Sequence, residues 1–120
     1  MNILDDDLKR LNFEDILFVI LIVITIMNIY ANQLQKKYIK DKDISSQIEA
    51  NKIYLFVLVV GLILYFYFLY RNYHSYKNTS DEDKDLFIYK VLGSSFIVAG
   101  TICLIYFQVN DPNFIGSPSI

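Results

Sequence analysis

The chain has 120 residues, room for one domain, with 54% apolar and 20% charged types and a formal net charge of −2. That balance offers no basic face for nucleic acid, and one cysteine, Cys103, forms no internal disulfide. The charges fall in blocks at 5–15, 36–52 and 71–90 with a lone Asp111, whereas a soluble helical protein spreads them along every helix to keep one face in water.

Between the blocks lie uncharged stretches at 16–35, 53–70 and 91–110, of 20, 18 and 20 residues. At a helical rise of ~1.5 Å per residue each reaches roughly 27–30 Å, the thickness of a bilayer's hydrocarbon layer. The sequence therefore predicts an all-α integral membrane protein: three transmembrane helices, a short N-terminal amphipathic helix and no separate soluble domain.

In chain order, Leu4, Leu8 and Leu11 recur at helical spacing among Asp5, Asp6, Lys9 and Arg10, which predicts an amphipathic interfacial helix over 3–11. Asn12 is placed to cap the first span, with Glu14 and Asp15 in its first turn. The acidic run Asp5–Asp7 is the reverse of a signal peptide's positive start, so span 1 (16–35) is expected to remain in the mature protein. Its Ile, Leu and Val residues favour strands in water, but an open strand in lipid leaves its backbone unsatisfied. Lys36, Lys37 and Lys40 close the helix at its negative end.

Ser46 with Glu49 three residues on reads as a capping box for a helix over about 46–76 that contains span 2 (53–70). Its far end carries Tyr70, Arg71, Tyr73 and Tyr76, expected as interfacial anchors with rings at headgroup level and charged tips in water. A break follows at 78–80. Ser80 with Asp83 announces the third helix, where Lys90 can snorkel outward from the start of span 3 (91–110). Asn110-Asp111-Pro112 ends it, and 111–120 is expected to be an irregular tail.

Sidedness is balanced. With the N-terminus inside, Lys9, Arg10, Arg71, Lys77, Lys84 and Lys90 face Lys36, Lys37, Lys40, Lys42 and Lys52 across the bilayer, and six against five decides nothing.

On the third helix Ile88, Leu92, Ser95, Ala99, Ile102 and Tyr106 form one stripe, small in the middle, with Cys103 beside it. Small residues let helix backbones approach in lipid, so Ser95, Ala99 and Cys103 are candidates for packing within the chain or for self-association. Gly61 is a similar contact point on the second helix, where a ligand pocket lined by tyrosines is the sharper alternative to packing.

His74 has no carboxylate or cysteine at ligand spacing. Asp81, Glu82, Asp83 and Asp85 lack the spacing and glycine of a calcium loop. Lys36–Lys42 is a weak signal for anionic lipid, and Asn78-Thr79-Ser80 fits a glycosylation sequon that matters only in a eukaryotic secretory membrane. No Asp, Glu, Lys, Arg or His lies within a span, which argues against ion-coupled transport. No nucleophile set or phosphate loop is present, so neither enzyme activity nor a metal or cofactor is expected.

The expectation is a structural or accessory membrane protein, partnered by the lipid bilayer and by a second copy or a larger membrane protein. The alternatives are an oligomeric, holin-like pore and a small-molecule carrier. Abundant Ile, Lys, Asn and Tyr point to the cell membrane of a low-GC bacterium.

Overall fold

The computed structural model describes residues 3–118. It is all-helical: α1 spans Ile3–Asp41, α2 Ile44–Asn78 and α3 Lys84–Asn110. Each holds a stretch long and apolar enough to cross a bilayer. At ~1.5 Å per residue, α1 with its 39 residues is about 58 Å long, and this sets the longest dimension of a molecule 59 × 27 × 15 Å.

Two expected helix starts are corrected. The separate amphipathic helix over 3–11 does not exist as such, because α1 runs unbroken through Asn12. Neither Gly nor Pro lies between Leu8 and Ile16, and without a breaker a helix continues where both flanks are helical. Asn12 is exposed in mid-helix and caps nothing. At α2 the cap is Asp43, not Ser46: its carboxylate accepts from the Ser45 N–H at 3.2 Å and from the Ser45 and Ser46 hydroxyls at 2.7 and 3.0 Å. The acid takes one orphan backbone N–H and gathers both serine hydroxyls, Ser46 included, so the serine is a donor to the cap and not the cap itself.

The α1–α2 connection is Lys42 and Asp43, and Lys42 takes the left-handed conformation, φ 57°. The start of α3 differs as well: it begins at Lys84 behind Asp83, which makes no side-chain cap bond, and Ser80 instead donates to the Asp83 carboxylate at 3.1 Å. The C-terminal ends agree with the sequence. Helix α2 stops at Asn78, with Thr79 bonded back to Tyr76, and α3 stops at Asn110 before Pro112. Segment 111–118 contains no helix or strand; residues 119 and 120 of the expected tail lie outside the described residues.

Helix α2 lies in the middle. Both α1 and α3 pack on it, and neither packs on the other. The α1 seam is Glu14, Leu17, Leu21, Ile24, Asn28, Ala31 and Gln35, alternately three and four residues apart. On α2 the matching set runs Gln47, Ala50, Tyr54, Val57, Gly61 and Leu64, the heptad geometry of a left-handed helix pair. Ala31 and Ala50, both with no exposed surface, sit against Tyr54 where the two helices come close. On α3 the seam is Phe87, Val91, Ser94, Val98, Thr101, Ile105 and Gln108.

Burial is mixed: Leu17, Ile24, Tyr54, Val57, Leu58 and Leu64 form the seams together with polar side chains, and many large apolar residues lie outside. Glu14, Gln35, Gln47, Asn72, Thr101 and Gln108 are buried, while Ile16, Ile22, Ile63 and Phe96 are exposed. Only 11% of the most apolar stretch of α3 is buried. Water would penalise that much bare hydrocarbon heavily.

Candidate functional site

Because α1 and α3 stand apart on either side of α2, a groove of about 420 Å³ opens between them at the middle of the apolar stretches. Leu21, Ile24, Thr25 and Asn28 form one wall. Ile97, Gly100, Thr101 and Leu104 form the other, and Gly61 and Tyr65 lie on α2 between them. Thr25 and Thr101 turn their hydroxyls back onto their own helix, to the carbonyls of Leu21 and Ile97, each at 2.8 Å. Asn28 has no such local solution. Its Oδ1 is buried with no hydrogen-bond partner among the described residues, and an unpaired amide oxygen away from water costs about 1–3 kcal/mol.

Gly61 keeps the floor low: a Cβ there would meet Tyr65 Cε2 at 3.6 Å and Ile24 Cδ1 at 4.0 Å. At Gly100 a Cβ would meet nothing within 4 Å, so this wall faces open space.

Beyond one end of the groove lies an ionic network. Glu14, only 3% exposed, accepts from Arg71 Nη1 at 2.8 Å and from the Tyr67 hydroxyl at 3.1 Å, with Arg10 Nε 3.8 Å away. The other guanidinium nitrogens of Arg71 donate to Asn72 Oδ1 at 3.0 and 3.3 Å. The Asn72 amide then donates to the Ser94 hydroxyl on α3. One chain of polar contacts thus ties all three helices, in surroundings where each group would be costly alone.

Beyond the other end is an uncharged polar cluster. The Tyr54 hydroxyl donates to the Asn32 amide oxygen and lies 3.2 Å from Gln35 Oε1. Gln35 Nε2 donates to Gln47 Oε1 at 3.2 Å and to the Phe114 carbonyl at 3.1 Å, and the Gly116 N–H donates to Gln35 Oε1 at 2.7 Å. Gln47 Nε2 reaches the Pro112 carbonyl at 3.2 Å, and Gln108 donates to Asn51. Segment 112–116 is therefore a strap from the end of α3 to α1. Gly116 at φ 108° makes its bend, and Phe114 is set edge-on to Phe107 with ring centroids 5.3 Å apart.

The residues singled out in the sequence scatter around these features. Gly61 is in the groove. Ser95 is half-buried in a shallow depression with Phe66, Tyr70 and Tyr73. Ala99 and Cys103 are exposed and pack on nothing described, since at about 100° per residue they fall on the flank of α3 opposite Ile97 and Leu104. Arg71 turns inward to Glu14 and also covers the Phe68 ring at 5.0 Å. Tyr70 and Tyr73 are exposed, Tyr70 beside His74 and Tyr73 under the Lys77 ammonium, while half-buried Tyr76 meets Lys84. Lys90 folds over Phe87.

Sequence reasoning read Glu14 only as a first-turn acid, whereas it is buried in mid-helix, and gave no contact to Asn28, Gln35, Gln47, Asn72 or Gln108. The signal was available: Glu14, Asn28 and Gln35 fall in one register, multiples of seven apart, with Leu21 between. Among the described residues no three His, Cys, Asp or Glu side chains converge as a metal site would require. Comparison with known proteins gives no match: no family model, no curated protein and no solved structure is similar to this chain.

Proposed function

We propose that this chain is an integral membrane protein of the interaction or accessory class, without catalytic activity, and that the groove between α1 and α3 receives a transmembrane helix of another polypeptide. The observation that carries this reading is Asn28. It places a carboxamide near the middle of the apolar stretches, on the wall of a groove of about 420 Å³, with its oxygen buried and unpaired. In lipid an interhelical hydrogen bond can draw helices together where hydrophobic drive is lacking, and the glycines at 61 and 100 leave room for a backbone. The many exposed large apolar side chains on all three helices support lipid as their solvent.

The test is purification from membranes in a mild detergent, with mass determination of the complex. Assembly larger than the 14.1 kDa chain, weakened by Asn28→Leu, is expected. A lone monomer indifferent to that substitution would sink the reading.

One observation favours an oligomeric pore as second reading: Thr25, Asn28, Tyr65 and Thr101, from three helices, converge on the same groove. Several copies with grooves facing inward would line a lumen. Vesicles containing the purified protein that retain a trapped dye would dispose of it.

A further inference from the structure

We propose that residues 112–116 are a lid over one mouth of the groove, latched by the Gln35 carboxamide. Its release admits water to the polar end of the groove around Gln47 and Gln108, independently of any occupant at the groove's middle.

Helix geometry places the strap there. At about 100° per residue, Gln47 and Tyr54 fall on the face of α2 that carries Gly61 and Tyr65. Gln35 stands two turns beyond Asn28 on α1, and Gln108 two turns beyond Thr101 on α3. The floor and walls of the groove thus continue into the uncharged polar cluster. At that level the strap crosses from α3 to α1 over Gln47.

Main-chain groups hold the strap down. Gln47 Nε2 donates to the Pro112 carbonyl at 3.2 Å. Gln35 alone makes two contacts, donating to the Phe114 carbonyl at 3.1 Å and accepting from the Gly116 N–H at 2.7 Å. The side chains add little burial, since Pro112, Asn113, Phe114 and Ile115 are all exposed. A segment tied by hydrogen bonds that water can replace, with few buried apolar contacts, is of the kind that opens locally.

Both positions of the lid keep Gln35 partnered. With the strap lifted, its Nε2 still donates to Gln47 Oε1 at 3.2 Å, and its Oε1 still lies 3.2 Å from the Tyr54 hydroxyl. With the strap down, Gln108, 2% exposed, keeps its Oε1 buried with no partner among the described residues. That orphan acceptor burdens the closed state and finds a donor once water enters. Release therefore loses the bonds to 112–116 and hydrates an amide oxygen, and these opposed effects give two states close enough to exchange.

Water access to position 108 reads the lid. Gln108→Cys with Cys103→Ser, in lipid nanodiscs, is labelled with a charged methanethiosulfonate reagent. Labelling is expected to be slow with the strap intact. It should be about tenfold faster with Gln35→Leu or Gly116→Pro, as the loss of one or two hydrogen bonds allows. Gly116→Pro removes the N–H from the strap side and leaves the helices untouched. Native Cys103, on the opposite flank of α3, should keep one rate with and without Gly116→Pro.

Circular dichroism checks that the helices persist; if Gln35→Leu loosens the α1–α2 pair, Gly116→Pro decides. Equal rates at position 108 with and without Gly116→Pro would overturn the lid. A parallel rise at Cys103 would mean general loosening and would overturn it too. Acceleration by Gly116→Pro but none by a folded Gln35→Leu protein would overturn Gln35 as the latch.

Discussion

Asp43 carries the turn between α1 and α2 on one carboxylate. The hydroxyls of Ser45 and then Ser46 hold its pKa at about 2, below the ordinary 3.8, with the Lys37 ammonium adding to the effect. A depressed carboxylate contributes stability that is complete above the unfolded value and disappears as pH falls through the folded one. The melting temperature in detergent should therefore drop between about pH 4 and pH 2, in a window set by this shift. Asp43→Ala should flatten that part of the curve; an unchanged acid limb would show the cap to be unimportant.

The neighbouring Lys42, at φ 57°, holds a conformation that costs a non-glycine residue roughly 1–2 kcal/mol. Glycine removes that cost but adds about 0.5–1 kcal/mol of unfolded-chain entropy. Lys42→Gly should consequently stabilise the hairpin by up to about 1 kcal/mol in a denaturant titration. None of this showed in the sequence: a lysine gives no sign of positive φ, and Asp43 lost attention to the Ser46–Glu49 spacing because both patterns cap helices.

Between elements, polar contacts at the two ends and small residues within set the pairing. Arg71→Met leaves Glu14 buried with Tyr67 as its nearest donor and Arg10 at 3.8 Å. Stripping one partner from a buried pair costs about 3–5 kcal/mol, and Arg10 puts the expectation at the low end. The double change Glu14→Gln with Arg71→Met should recover a good part, as measured by a detergent-to-SDS unfolding titration. A double variant as unstable as the single one would mean that the charge is not what matters.

Ala31 and Ala50 should behave in the opposite sense, since a leucine at either is overpacked against Tyr54. The expected loss is about 1–3 kcal/mol in the same titration.

Helix number and most ends were legible from charge blocks, Pro112 and the Asn78–Ser80 break. The contact faces were not. The most apolar stripe on α3, through Leu92 and Ala99, points outward, and the true seam holds Ser94, Thr101 and Gln108. Where helices pack in hydrocarbon, apolarity alone does not mark the inside, and small and polar residues at three-and-four spacing help to find it. The Glu14–Arg71 pair was hidden for another reason. The two residues lie 57 positions apart at the edges of different stretches, where each reads as an ordinary interfacial charge.

For the whole molecule, thickness is the decisive dimension. A body 15 Å thin has little interior, and its exposed isoleucines and phenylalanines would be costly in water. The expected outcome is full sedimentation with membranes and release only by detergent; recovery from the aqueous supernatant would contradict it. The strap at 112–116 adds a second expectation. Gln35→Leu removes the acceptor for Gly116 and the donor to Phe114, so backbone amides near 114–116 should exchange hydrogen faster while those of α1 and α2 hardly change.

The central place of α2 also bears on how the protein is made. Spatial order repeats chain order, so α2 emerges after α1 has been made and α3 after α2. The hairpin of α1 and α2 closes first across two residues. Next α3 docks on a finished surface, and residues 112–116 then fasten it to the oldest helix. Each helix pair thus forms between consecutive segments, while Gln35 and Gln47 stay without their strap partners until residues 112–116 have been made.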